Sequence, residues 1–170
     1  GDTLRQAVQK FAQAAQLNID WRLVRFPNAM VDRITPATTD RIRQECKDPM
    51  AVPTEAFREW VIEDNFAGPR PDWPDVQFVQ DVQPPELRKL RMLNGAHSFL
   101  AYAGLAQGYQ YVHEAISDPD LRHQALSLMM EAGTTLPQDI QDQVPAYAQA
   151  LLRRFDNTEL AHRLDQIAMD

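Results

Sequence analysis

The chain has 170 residues, of which 44% are hydrophobic, and a formal net charge of −7 at pH 7. This length suffices for one core that buries roughly 70% of the extended-chain surface, while the negative charge argues against a nucleic-acid or membrane-surface partner. The single cysteine, Cys46, excludes an internal disulfide framework and favours a reducing cytoplasm, and no apolar run of about 18 residues suggests a membrane span.

The first half of the chain predicts short elements separated by turn-forming residues. Asp2 is a suitable N-cap for the first helix, and Thr39 or Asp40 for the second. The predicted elements are, in chain order, a helix over 2–16, a strand over 21–26, a helix ending near 46, a helix over 54–62 and a strand over 76–82.

The second half predicts longer helices and a mainly α architecture. Pro85 is a favourable first-turn residue for a long central helix, Ser117 or Asp118 precedes a proline where the next helix starts, and Asn157 can cap the last. The predicted helices cover residues 85–116, 118–131, 143–155 and 157–169.

Polar residues interrupt an otherwise apolar part of the central helix. From residue 92 to residue 106 nearly every side chain is apolar or small, which predicts that all sides of the helix face protein. Asn94 and His97 are therefore expected to be buried. Because a buried amide or imidazole without a hydrogen-bond partner costs about 1–3 kcal/mol, each should be satisfied by neighbours or used in chemistry.

Helical spacing indicates that these polar side chains can share one site. At about 100° per residue, Glu86 lies about 60° and His97 about 80° from Lys89, and Asn94 lies about 140° away. The same arc carries three leucines, which would give the polar groups a pocket with apolar walls: Leu90, Leu93 and Leu100.

Lysine, asparagine and histidine together suit proton removal from a secondary alcohol. Loss of solvation favours a neutral lysine amine, which can accept a proton. An amide can donate to a developing alkoxide, and an imidazole can hold a hydroxyl. Spacing alone leaves ordinary roles open: Lys89 as a solvated surface charge, Asn94 before Gly95 as a helix break, and His97 as a core histidine.

Four segments resemble the mannitol dehydrogenase family, the polyol-specific long-chain dehydrogenases that include fructuronate (mannonate) reductases. Residues 89–104, K-L-R-M-L-N-G-A-H-S-F-L-A-Y-A-G, are similar to the family's catalytic segment. Residues 26–39 resemble its F-P-x-x-M-V-D-R-I-x-P stretch, residues 56–66 its F-x-x-W-V-x-E-D-x-F stretch, and residues 154–170 the run that closes the substrate domain. The resemblance covers the whole chain.

The resemblance implies a domain organisation. Residues 1–26 would be the tail end of the nucleotide-binding Rossmann domain, and residues 27–170 a multi-helical substrate domain similar to the C-terminal domain of 6-phosphogluconate dehydrogenase. Gly1 resembles the last residue of the family motif C-D-N-x-x-x-N-G, and family chains continue past Asp170 into G-S-x-K-L-P, so we expect a C-terminally truncated, catalytically incomplete domain. No glycine-rich dinucleotide turn occurs in the sequence. NAD or NADP would therefore be bound mainly by the absent N-terminal Rossmann domain, which we expect to be a partner of this domain.

The resemblance also implies an activity and roles for residues. The expected enzyme is a zinc-independent, NAD(P)-dependent oxidoreductase that interconverts a polyol or aldonate secondary alcohol with the keto sugar or keto sugar acid. Lys89 would be the general acid or base, Asn94 the alkoxide stabiliser and His97 the group that orients the substrate oxygen. Asp32 would tune or orient the lysine amine, and Glu86 would gate water or protons.

Some assignments stay open at this point. A sugar-acid substrate needs a cation near its carboxylate, and Arg33, Arg163 or a residue past Asp170 could supply it. The I-A-M-D ending favours a fructuronate reductase over a mannitol or arabinitol 2-dehydrogenase. The alternative from another class is a non-catalytic helical interaction domain. No metal site is predicted, because one cysteine and four dispersed histidines lack ligand spacing: His97, His113, His123 and His162.

Overall fold

The computed structural model describes residues 1–169 and divides into two compact units. The first unit comprises Gly1–Asp32 and Arg58–Pro85, and the second comprises Arg33–Phe57 together with the chain from Glu86 onward.

The first unit combines one helix with a three-stranded sheet. Helix α1 spans Asp2–Ala14 and is followed by a 3₁₀ turn, Trp21–Leu23. Strands β1 (Ala29–Asp32), β2 (Glu59–Glu63) and β3 (Val76–Val79) lie in the order β1-β2-β3, with β1 and β2 antiparallel and β2 and β3 parallel. A small apolar cluster lies against this sheet: Met30, Val61, Val79 and Val82.

Two predicted elements of this part of the chain are wrong. The strand predicted over 21–26 is a 3₁₀ turn, because the Asp20 carboxylate accepts a hydrogen bond from the Arg22 backbone N–H at 3.1 Å and caps it. The helix predicted over 54–62 is replaced by β2, whose aromatic and β-branched residues favour a strand with partners on both edges. The helix predicted over 2–16 and the strand predicted over 76–82 are confirmed, although the helix ends at Ala14 and the strand at Val79.

The second unit is helical, which confirms the predicted mainly α fold. The Thr39 hydroxyl caps the first of its helices by accepting from the Ile42 N–H at 3.3 Å, and Asp118 caps another. Its α-helices are α2 (Asp40–Cys46), α4 (Gly95–Ala106), α5 (Val112–Ser117), α6 (Pro119–Gly133), α7 (Val144–Phe155) and α8 (Leu164–Ile167). Helix α3 (Gln83–Arg88) leads into a π-helical turn, Lys89–Asn94, and a 3₁₀ segment, Gln138–Gln143, precedes α7.

Helices α4, α5, α6 and α7 contribute to one buried apolar core. Each large apolar side chain removed from water contributes about 1.5–3 kcal/mol. At Gly104, a Cβ atom would lie 2.8 Å from Leu164 Cδ1 and 2.9 Å from Ala115 Cβ, so α4, α5 and α8 meet at this glycine. The largest fully buried side chains of this core are Met92, Leu100, Ile116, Leu121, Met129, Leu151, Phe155 and Leu164.

Two long predicted helices are shorter than expected. The helix predicted over 85–116 ends at Ala106, since Gly108 adopts a φ of 89° and reverses the chain before α5. The helix predicted over 157–169 is split into a 3₁₀ turn, Thr158–Leu160, and α8, because Ala161 is left-handed with φ 44°. Asn157 does cap this segment, but it caps the 3₁₀ turn.

Candidate active site

The chain from Lys89 to Asn94 forms a π-helical turn between α3 and α4. In such a turn each N–H bonds to the carbonyl five residues earlier, so residues five apart lie closer together around the axis than in an α-helix. An α-helix would instead separate Lys89 and Asn94 by about 140° around the axis. The π turn therefore reduces the angle between this lysine and asparagine around the axis, and isolated π turns often mark functional sites.

A cleft of about 290 Å³ opens along α4. Asn94 and Tyr102 lie on the exposed side of the helix, whereas His97 is only 8% exposed and forms part of the wall. The prediction that Asn94 is buried is wrong, because this face of α4 borders the cleft and not the core. The lining residues are Asn94, His97, Ser98, Tyr102, His162 and Ile167.

The apolar walls come from other residues than expected. Leu93 and Leu100 point into the core and are 3% and 0% exposed, and Leu90 is 47% exposed. Ile167 on α8 instead provides an apolar part of the cleft. The spacing of residues along the central helix could not predict that α8 lies beside it. Two of the three predicted catalytic residues, Asn94 and His97, thus share the cleft.

The remaining predicted site residues lie at defined positions in the two units. Lys89 is half-buried at the start of the π turn, and Glu86 is exposed on α3. Asp32 is completely buried at the end of β1, where it pairs in register with Glu59.

Both candidate cations for a substrate carboxylate make hydrogen bonds within the second unit. The Arg33 guanidinium donates from Nε and Nη2 to the backbone carbonyl of Glu55 at 3.0 and 2.9 Å. The Arg163 guanidinium donates to the Asp165 carboxylate at 2.9 and 2.5 Å. This hydrogen bond raises the pKa of Arg163 and lowers that of Asp165. Each arginine therefore already fixes local structure.

Two aromatic rings flank His97. Its ring centroid lies 4.7 Å from that of Phe155, tilted by 42°, and 5.4 Å from that of His162, with the planes at 88°. A second cavity of about 10 Å³, the size of about one water molecule, lies behind His97. Its walls include Phe155 and His162, and also His113, whose buried Nδ1 has no hydrogen-bond partner within the part of the chain that the structure describes.

A buried ion pair supports the same wall. Arg154 on α7 donates from Nε and Nη2 to the two carboxylate oxygens of Glu55, at 3.0 and 2.7 Å. Glu55 also accepts a 2.6 Å hydrogen bond from the backbone N–H of Ile34, and the Arg154 guanidinium lies 4.1 Å from the centre of the Phe57 ring. Sequence reasoning missed this pair and His162, because neither is close to the central helix in sequence.

Residues 1–169 contain no group of three or more His, Cys, Asp or Glu side chains arranged to hold a metal ion. No helix in the described part of the chain is long and apolar enough to cross a bilayer. The described strands end at Asp32, Glu63 and Val79, and none continues through a glycine-rich turn into a helix. We therefore identify no binding site for a dinucleotide pyrophosphate at the ends of these described strands.

Comparison with known sequences identifies the class of protein to which this fold and cleft belong. The mannitol dehydrogenase C-terminal domain matches residues 81–170, and the mannitol dehydrogenase Rossmann domain matches residues 1–75. The chain belongs to the mannitol dehydrogenase family, which confirms the resemblance seen in the sequence. The division into domains at residues 26 and 27 stays a prediction.

Individual relatives cover almost the whole chain. D-mannonate oxidoreductase of Escherichia coli K12 is 50% identical over 156 residues, which are 86% of this chain and 32% of that protein. Mannitol 2-dehydrogenase of Pyrenophora tritici-repentis is 40% identical over 185 residues, covering 99% of this chain and 33% of that protein. The chain spans roughly a third of the length of these relatives.

A solved structure extends the likeness to three dimensions. The Pseudomonas fluorescens mannitol 2-dehydrogenase, in a ternary complex with NAD and D-mannitol, matches with a TM-score of 0.76 and 38% identity. The match covers 84% of this chain and 31% of that one.

Proposed function

We propose that this chain supplies the substrate-binding and catalytic part of an NAD(P)-dependent oxidoreductase. The reaction would interconvert a secondary alcohol of a polyol or aldonate with the corresponding keto sugar or keto sugar acid. The observation that supports the proposal is the cleft lined by Asn94 and His97, with Lys89 at the start of the π turn that ends at Asn94.

Each of these side chains has one task in alcohol oxidation. Lys89 accepts the proton of the substrate hydroxyl. The Asn94 amide donates a hydrogen bond to the oxygen as negative charge develops on it. His97 holds that oxygen in the reactive orientation. Such alignment of reacting atoms greatly increases the rate of the chemical step. In ketone reduction, Lys89 returns the proton.

The nicotinamide cofactor, when bound, exchanges the hydride with the substrate carbon. We propose that it is NAD or NADP and that it is held mainly by a preceding Rossmann domain, consistent with the match of residues 1–75 and with the relative described with NAD. An amide donor and a lysine beside the oxygen provide the charge stabilisation that zinc provides in other alcohol dehydrogenases. We therefore propose chemistry that does not need zinc.

Two further residues are proposed to serve the lysine. Asp32 would tune or orient its amine, and Glu86, on the exposed surface one helical turn before Lys89, would admit water or protons. Arg33 and Arg163 stay candidates for contact with a sugar-acid carboxylate, although each already makes internal hydrogen bonds.

A sugar acid of the fructuronate or mannonate type is the favoured substrate. The 50% identity to D-mannonate oxidoreductase supports it over the mannitol or arabinitol alternative, for which the Pyrenophora relative shows 40%. A non-catalytic interaction domain is disfavoured, because it would not need an amide and an imidazole to line one cleft. Steady-state assays of the full-length protein with mannonate, altronate, mannitol and arabinitol, each with NAD and NADP, distinguish these possibilities.

Lys89→Met in the full-length protein tests the chemistry itself. Loss of a general base should lower kcat by about 10²–10⁴-fold, while the dissociation constant for the cofactor changes less than twofold. Lys10→Met, on the exposed surface of α1, is the matched control and should keep wild-type turnover. Wild-type turnover in the Lys89 variant would contradict the proposed mechanism.

A further inference from the structure

His97 and His162 form a pair of imidazoles in the wall between two cavities. Both rings line the cleft of about 290 Å³, and both also line the cavity of about 10 Å³ behind it. Their planes are almost perpendicular at a centroid separation of 5.4 Å, the edge-to-face arrangement that aromatic rings prefer. Whatever fixes one ring therefore limits the orientation of the other.

The ring of His97 needs such a constraint. Its helix sets the direction of the first side-chain bond, but rotation about the bond to the ring is broad and roughly two-fold. Contacts with neighbouring groups therefore decide which edge of the imidazole faces the cleft. Phe155 packs at 4.7 Å and belongs to the core, so it limits one side. His162 packs against the ring from the side that also lines the cleft.

The backbone holds His162 in place from both sides. Its carbonyl accepts a 2.9 Å hydrogen bond from the Val112 N–H, and the Leu164 N–H donates to the Gln110 carbonyl at 2.9 Å. These bonds flank an isolated antiparallel bridge between Tyr111 and Arg163. The segment is thus tied to the start of α5.

The residue before His162 adopts an uncommon backbone conformation. Ala161 has φ 44°, in the left-handed region where residues other than glycine are rarely found and which costs of order 1–3 kcal/mol. This turn ends the 3₁₀ segment and directs the chain back along α5 and into α8. Strain of this kind persists only where the surrounding contacts require it.

We propose that His162 is a positioning residue for His97: its ring packs edge to face against the His97 imidazole and keeps that imidazole directed into the cleft. The inference rests on the proposed function, since it assigns His162 to the same site and the same reaction. His162 would act through ring packing and not by touching the reacting atoms.

Substitutions at position 162 in the full-length protein separate ring packing from other roles. His162→Ala removes the ring, and we expect kcat/KM for the alcohol to fall about tenfold, because small misplacements of an orienting group are costly. The dissociation constant for the cofactor should change less than twofold. His162→Phe keeps the ring and should recover activity to within about threefold of wild type.

His113 provides the matched control. It lines the cavity behind His97 but not the cleft, so His113→Ala alters the same wall without removing the ring that packs on His97. We expect its kcat/KM to stay within twofold of wild type. A loss equal to that of His162→Ala would indicate general damage to the wall and would overturn the proposal.

Crystal structures of the wild-type, His162→Ala and His162→Phe proteins give a readout that does not depend on turnover. The proposal expects the His97 ring to rotate about its ring bond in the alanine variant and to keep its orientation in the phenylalanine variant. If the alanine variant does not fold, His162→Gln, which keeps most of the volume without a ring, makes the same comparison. An unchanged His97 ring in the ringless variant would overturn the proposal.

The two proposals can fail separately. If the wild-type protein turns over none of the four substrates mannonate, altronate, mannitol and arabinitol, the proposed function fails. The orientation of the His97 ring in the crystal structures of the variants then still tests the role of His162. If turnover is observed and His162→Ala keeps wild-type kcat/KM, the positioning role is overturned and the proposed function stands.

Discussion

Removing the Arg154 guanidinium tests how the wall behind His97 is stabilised. The Arg154 and Glu55 side chains are 7% and 2% exposed, and two hydrogen bonds of 3.0 and 2.7 Å join them. Arg154→Met would leave a buried carboxylate that keeps the 2.6 Å bond from the Ile34 N–H but loses its countercharge. Breaking a buried ion pair by removing one partner costs about 3–5 kcal/mol.

An exposed ion pair provides the comparison. The Arg41 and Glu45 side chains are 79% and 62% exposed and lie 3.7 Å apart on α2. Surface pairs of this kind contribute about 0–1 kcal/mol, so Arg41→Met should change the free energy of unfolding by less than about 1 kcal/mol. The contrast between the two substitutions isolates burial as the cause.

Urea unfolding followed by far-UV circular dichroism is the suitable assay. The three tryptophans, Trp21, Trp60 and Trp73, all lie in the first unit, so their fluorescence reports on that unit. Circular dichroism instead follows mainly the second unit, which holds most of the described helices. Glu55→Gln combined with Arg154→Met should be less destabilised than Arg154→Met alone, because the uncompensated charge is removed. A cost below about 1 kcal/mol for Arg154→Met would show that the buried pair does not stabilise this wall.

Further predictions concern packing and acid stability. Gly104→Ala should lower the free energy of unfolding by about 1–3 kcal/mol, because the new Cβ would lie 2.8 and 2.9 Å from side chains of two other helices. Gly95→Ala is the control: nothing lies within 4 Å of the new Cβ, so this substitution should be neutral or stabilising. Equal effects of the two substitutions would contradict the close packing at Gly104. Two backbone hydrogen bonds to its carboxylate lower the pKa of Glu114, so its stabilising contribution is present above its unfolded-state pKa and is lost as pH falls through the lower folded value. Glu114→Gln should therefore flatten the acid limb of Tm against pH, and an unchanged limb would contradict that assignment.

Local sequence signals predicted those elements whose ends are fixed by nearby residues. Thr39 and Asp118 cap the helices that they were expected to begin. Spacing of apolar residues placed α1 and α7 to within two residues. The family resemblance, carried by four separate segments, was likewise available without coordinates.

Elements that depend on distant partners were predicted poorly. β2 is a strand because it pairs with both β1 and β3, and no local pattern reveals those partners. The number of residues per helical turn changes in the π turn, which the spacing of apolar residues did not predict. This change alters the angle between Lys89 and Asn94 around the helix axis. His162 reaches the site only because the chain reverses at Ala161 and returns to α4.

In the proposed reaction, Lys89, Asn94 and His97 surround one substrate oxygen. A crystal structure of the full-length protein with cofactor and a bound polyol or sugar acid tests it most directly. We predict a single substrate oxygen at about 2.7–3.2 Å from Lys89 Nζ, from the Asn94 amide nitrogen and from a ring nitrogen of His97. A substrate bound in this cleft with Lys89 Nζ beyond hydrogen-bonding distance of its reacting oxygen would show that Lys89 is not the proton acceptor.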